Sequence, residues 1–150
     1  MPQKFLHDEI KITRVLNAVA AGTSVQAATA VDMTGFDGVL FIALLGTLTA
    51  TQVTSLKAQQ SSDAAVADDY SDLLGSNVGP LADGDSNKML VLDVFRPEKR
   101  YVKPVVVRGT ANAVIDGVIA IQYTARSLPT AHAASVAFSE KTASPAEGTA

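Results

Sequence analysis

The sequence predicts an all-β fold: an antiparallel β-sandwich, jelly-roll-like in form, with extended N- and C-terminal arms. Three observations carry this expectation. Short Val-, Ile-, Leu- and Thr-rich runs recur along the chain with turn residues between them. No strong amphipathic helix separates these runs, as a parallel α/β sheet would require. The stretch 88–126, KMLVLDVFRPEKRYVKPVVVRGTANAVIDGVIAIQYTAR, reads as three successive strands joined by two tight connections, a β-meander. At 150 residues the chain is long enough for one domain with its own core and too short for two.

Residues 1–9 form a mixed-charge arm without periodicity. Ile10, Ile12, Arg14 and Leu16 then alternate with Lys11, Thr13, Val15 and Asn17, the two-residue period of a strand. The small-residue segment 20–30 opens with a Gly22-Thr23-Ser24 turn and reads as a short strand or a loop. Asp37-Gly38 supplies a tight turn before VLFIALLG, a continuous apolar run suited to a central strand covered on both faces. The stretch 47–60 is a further strand, with Leu56 and Ala58 on one face and Ser55, Lys57 and Gln59 on the other.

Between 61 and 87 Asp, Ser, Gly and Ala take over. A helical turn is expected over 67–74, capped by Ser62 or Asp63 and stopped by Gly75, with loop from 76 to 87. In the meander Leu90, Leu92, Val94, Val105 and Val107 supply strand positions, and Arg96-Pro97-Glu98-Lys99-Arg100 is a charged turn with Pro suited to its second position. The tail 127–150 carries Pro129 and Pro145 among Ala, Ser and Thr; it buries little by itself and is expected to run as an arm over another surface. The organisation is therefore an N-terminal arm (1–9), a sandwich domain (10–126) and a C-terminal arm (127–150).

Apolar residues make up 47% of the chain and aromatics only 5%, so the core is expected to be aliphatic, with Phe36, Phe41 and Phe95 as its bulky fillers. Burial against other subunits would supplement such a core. The net charge of −3 gives no basic field for a phosphate backbone, and the cations, Arg108 among them, are scattered without stacking aromatics; nucleic acid is not an expected partner. Arg96, Lys99, Arg100 and Lys103 form a local cluster that suits an acidic surface or a solvated turn. The chain has no cysteine, which removes disulfides and thiolate metal sites. The N-terminus lacks the apolar core of a signal peptide, and the longest apolar run, 39–45, is far short of the roughly 20 residues of a membrane helix, so no membrane association is expected.

Asp83-Gly84-Asp85-Ser86-Asn87 resembles the first half of a calcium loop. Lys88 stands where the loop needs Gly and Val94 where it needs a bidentate Glu, so a polar turn is expected and no metal. The acidic residues Asp63, Asp68, Asp69 and Asp72 read as a solvated face rather than a catalytic pair. His7 and His132 lie in opposite arms, where a Ser-His-Asp site would have no held imidazole. Neither GxGxxG nor GxxxxGK occurs, and Gly38, Gly109 and Gly117 read as turn or bulge positions. The expectation is a non-enzyme with no catalytic residue, metal or cofactor.

The segments ITRVLNAVAAGTS, AVDMTGFDGVLFIALLG, SLKAQQ, RPEKRYVKPVVVRGTANAVIDGVIAIQY and SPAEGTA, spread over residues 12–150, resemble a family of small structural proteins of tailed bacteriophages, the capsid decoration or cement proteins. The resemblance implies a β-sandwich subunit, made in the host cytoplasm, that sits as a dimer or trimer on the outside of the mature head. There it would bridge neighbouring major capsid protein subunits, and multivalent attachment would oppose the pressure of packaged DNA. The family supplies no residue-level contact motif; on this chain the arms are the expected reach across neighbours, with Phe5, Leu6 and Phe138 as contacts, and the charged turn is a second contact, at Arg96, Glu98, Lys99 and Arg100. The alternatives are a neck or tail component, such as a head-completion or tail-tube subunit using 61–87 as an insertion loop, and a carbohydrate-binding head-fibre module, for which three Tyr and no Trp offer few platforms.

Overall fold

A computed structural model describes residues 4–64 and 68–150. Two antiparallel sheets carry the described structure. The strands are β1 (Lys11–Leu16), β2 (Val19–Gly22), β3 (Gln26–Ala27), β4 (Val31–Asp32), β5 (Phe36–Leu48), β6 (Val53–Ser61), β7 (Ser71–Asp72), β8 (Met89–Phe95), β9 (Tyr101–Gly109) and β10 (Ala113–Ala125), after a 3₁₀ turn at Leu6–Asp8. The first sheet has the order β1-β10-β5-β8, with β2 also on β10; the second has β3-β9-β6-β7, with β4 also on β9. The expected antiparallel sandwich is the fold.

The alternation of side chains builds the core. In β5, Val39, Phe41, Ala43 and Leu45 are buried; they meet Val118 and Ala120 of β10, Leu90 and Leu92 of β8, and Leu56, Ala58, Val102 and Val106 of the second sheet. Burying a side chain the size of Phe41 contributes about 2–3 kcal/mol. Gln122, almost wholly buried, ties the sheets together by donating from Nε2 to the Asp32 carbonyl oxygen at 2.8 Å. Pro104, which has no N–H to give, lies where the ladder beside β9 breaks between β3 and β4, and there only its carbonyl is used, by the Ala28 N–H.

The 88–126 stretch forms three strands but not a meander. β8 and β10 lie in the first sheet on either side of β5, while β9 pairs with β6 in the second. β5 offers donors and acceptors along both edges, and the five-residue link 96–100 reaches about 16 Å when extended, enough to cross the roughly 10 Å between packed sheets. As the sequence suggests, β5 is central. It is covered on one face only, because Leu40, Ile42 and Leu44 point away from the core and stay partly exposed. Phe41 fills the core and Phe36 packs at its margin, but Phe95 is 57% exposed: Leu90, Leu92 and Val94 take the inward positions of β8 and leave Phe95 on the outer face.

The expected helical turn over 67–74 is replaced from residue 68 onward by irregular chain and β7; Ala67 lies outside the described residues. The edge of β6 takes this segment as a strand, Gln59 and Gln60 pairing with Asp72 and Ser71, and Leu73 donating its N–H to the Ala58 carbonyl. Ser62 and Asp68 bond in the reverse sense from a helix cap, the Ser62 N–H donating to the Asp68 carboxylate at 2.7 Å. The chain then runs on along β6, with Val78 and Leu56 exchanging backbone hydrogen bonds and Leu81 donating to Thr54.

Candidate partner interface

One end of the sandwich gathers most of the residues expected to make contacts. The turn after β4, the link 96–100 and the end of β10 meet there: the Arg96 N–H donates to the Asp37 carbonyl, the Arg126 N–H to the Gly35 carbonyl, and Ala125 pairs with Phe36. The 3₁₀ turn closes the same end, where Leu6, Ile10, Tyr123 and Leu128 line an open groove of about 300 Å³. A second groove of about 370 Å³ runs between the β4–β5 turn and Glu98, Lys99 and Arg100. Phe5 lies under the Lys141 ammonium, 5.8 Å from its ring centroid, and Phe138, 97% exposed, is placed beside the 3₁₀ turn by its neighbour Ser139, which bonds His7 at 2.9 Å.

The charges at this end differ in availability. Lys99 pairs with Asp68 at 2.8 Å, and Arg100 grips Asp32 through Nε at 3.0 Å and Nη2 at 2.8 Å, so these two cations are already engaged within the chain. The Arg100 guanidinium beside Asp32, reinforced by Thr34, holds that carboxyl well below the usual carboxylate range. Lys99 and then Ser62 do the same for Asp68. Arg96 is turned the other way. Its φ of +52° places it in the left-handed region, and its guanidinium lies over the Phe95 ring at 5.1 Å. A side chain in that conformation costs about 1 kcal/mol. Thr124, at φ +53°, is a second such residue at the same end.

The tail, expected to run as an arm over another surface, is instead bonded to the 3₁₀ turn and along the edge of β1 in its own chain. The Ile12 N–H donates to His132 Nδ1 at 3.1 Å, the Ala133 N–H to the Ile12 carbonyl, and the Arg14 N–H to Ser135 Oγ at 2.9 Å. Thr130 donates its N–H to Asp8, and Lys141 reaches both Asp8 carboxylate oxygens at 3.1 Å. The histidines that the sequence reading left unheld are therefore held, edge to face with ring centroids 4.5 Å apart. Burial, with a smaller push from His7, lowers the His132 imidazole below its ordinary value. His7 lies between Asp8 at 3.2 Å and Ser139, a relay that resembles a hydrolytic one. Lys141 pairs with Asp8 and Ser139 stands on the open surface, and together these contacts tether the tail to the 3₁₀ turn.

The remaining polar motifs have structural partners. Asp83 accepts from the Thr51 N–H, Asp85 from the Ala82 N–H and Lys88, and Asp72 from Lys57 and Gln59. Among the described residues no group of three or more His, Cys, Asp or Glu could hold a metal ion. Arg108, placed by the sequence among scattered surface cations, is buried: it donates to the carbonyls of Ala20, Ser24 and Ala113 and pins the β2–β3 connection to the two long strands.

The sequence reading missed the outer face of the first sheet. Ile119 and Ile121 of β10, Ile42 and Leu40 of β5, and Val91 and Met89 of β8 form one apolar surface on the side away from the core. Tyr123 closes one end of it, crossing Gly38, where a Cβ would fall 2.2 Å from the ring, to donate its hydroxyl to Asp93. Burial and that bond push the Tyr123 hydroxyl up to about 12. The signal was present in the apolar run of β5, which was read as covered on both sides. No family model and no curated protein matches this chain.

Proposed function

We propose that this chain is a virion structural protein, a decoration or cement subunit on the exterior of a tailed-phage head that bridges and stabilises neighbouring major capsid protein subunits without catalysis. The observation that carries this reading is the convergence of four separate segments at one end of a well-packed sandwich. That end presents exposed Leu6, Phe95, Leu128 and Phe138 together with Arg96 and Glu98, an apolar and charged mixture of the kind found at protein interfaces. Two backbone positions there are held in the left-handed region, a strain that tends to collect at contact sites. The likeness to phage decoration proteins supplies the identity of the partner.

The neck or tail reading calls for a free insertion loop. The 71–81 part of that segment is bonded along the edge of β6, which favours the decoration reading. The test is co-sedimentation of the purified chain with mature, expanded heads. Saturable binding is expected, with a rise in the temperature at which the heads release DNA, and Phe138→Ser with Arg96→Glu should weaken binding by about tenfold or more. Binding only to tails, or none to expanded heads, overturns the proposal.

A further inference from the structure

We infer that the outer face of the first sheet is where a second copy of this chain packs, forming a two-fold dimer. One edge of each sheet is covered by irregular chain, whereas this face is not. The tail runs along β1 and the 71–81 segment along β6, yet Met89 and Val91 remain 58% and 48% exposed. At strand spacings of about 4.8 Å and rises of about 3.4 Å per residue, four strands by seven residues project roughly 450 Å². That lies within the roughly 300–600 Å² of the largest apolar patch on a monomer, and is about half of what each partner contributes to a standard interface.

Charge selects the occupant. Cross-strand pairing aligns Arg14, Ile119, Ile42 and Val91 in one row and Ile12, Ile121, Leu40 and Asp93 in the next. A cation thus stands at the β1 side of the face and an anion at the β8 side. Among the described residues, neither Arg14 nor Asp93 makes an ion pair within the chain. A two-fold axis in the plane of the face and parallel to β5 sets β1 of one copy over β8 of the other. Arg14 then comes within one side-chain row, about 7 Å along the strand, of the second copy's Asp93, and the pairing occurs twice. The face is complementary to itself, apolar at the centre with opposite charges at opposite rims.

The inference is independent of the decoration reading, because its test contains no capsid. Sedimentation velocity of the full chain over a range of concentrations should show a shift from 15.6 kDa to twice that mass. Val91→Lys and Ile119→Lys should each weaken dimerisation by about tenfold or more. Arg14→Asp and Asp93→Arg should each weaken it alone, and together restore it to within about threefold of the starting chain. Thermal melting identifies any variant that fails to fold, and the remaining substitutions still decide. A monomer at every concentration, a dimer indifferent to both lysines, or a trimer overturns the inference. So does loss with Val91→Lys but not Ile119→Lys, which would mean pairing through the β8 edge.

Discussion

Arg108 is a guanidinium taken out of water and matched to carbonyl oxygens rather than to a carboxylate. Burial lowers its pKa, while three backbone carbonyls from separate segments satisfy its donors. Arg108→Met keeps much of the volume and removes every one of those bonds. The expected loss is about 2–3 kcal/mol, or roughly 4–12 °C in Tm, read by thermal unfolding. Arg96→Gly should act in the opposite sense, raising stability by about 1 kcal/mol by relieving a left-handed side chain, while weakening attachment to heads because the guanidinium over Phe95 is lost. His132 gives the tail a pH dependence. Its Nδ1 accepts the Ile12 N–H, so protonation there breaks the bond. Because its folded pKa is depressed below 6.5, the tail's contribution is fully present above that pH and declines as pH falls through and below it. The protection factors at Ile12 and Arg14, taken against the intrinsic exchange rate at each pH, should therefore fall on acidification, and His132→Ala should show low protection at every pH.

At the scale of elements, the strands were legible and their partners were not. β1, β6 and β8 to β10 fall where alternating runs place them, and β5 where the continuous apolar run does, although it starts at Phe36 and takes in the Asp37-Gly38 pair expected as a turn; alternation reports only that one face of a strand is buried. Nothing in that pattern says which sheet the buried face belongs to, and so three consecutive strands looked like a meander while β9 crosses to the other sheet. Phe95 was misplaced for a related reason, since hydrophobicity was read without the parity that puts it beside Met89 and Val91. The turn expected over 67–74 failed on a long-range effect: β6 had an open edge, and pairing with it outweighed a local helix signal. The contact residues were legible as exposed apolar and charged positions on termini and a turn; that they converge at one end of the sandwich follows only from the fold. Edge coverage also makes a prediction for the tail. Removal of residues 129–150 should uncover the β1 edge and increase aggregation, measured by light scattering on warming.

At the scale of the whole molecule, the chain is a sandwich with two open surfaces of different character. One is the end formed by the 3₁₀ turn, the turn into β5, the link 96–100 and the chain from the end of β10 to residue 128; the other is the apolar face of the first sheet. The proposed bridging role would use this division, one surface for a second copy and another for the shell, because attachment at several points raises avidity beyond any single contact. The most direct measurement is a cryo-EM reconstruction of the mature particle carrying this chain. The expected result is density on the shell exterior spanning neighbouring capsid subunits, with the Phe138 and Arg96 end turned toward the shell. Density confined to the neck or tail, or a shell exterior without this chain, would contradict it.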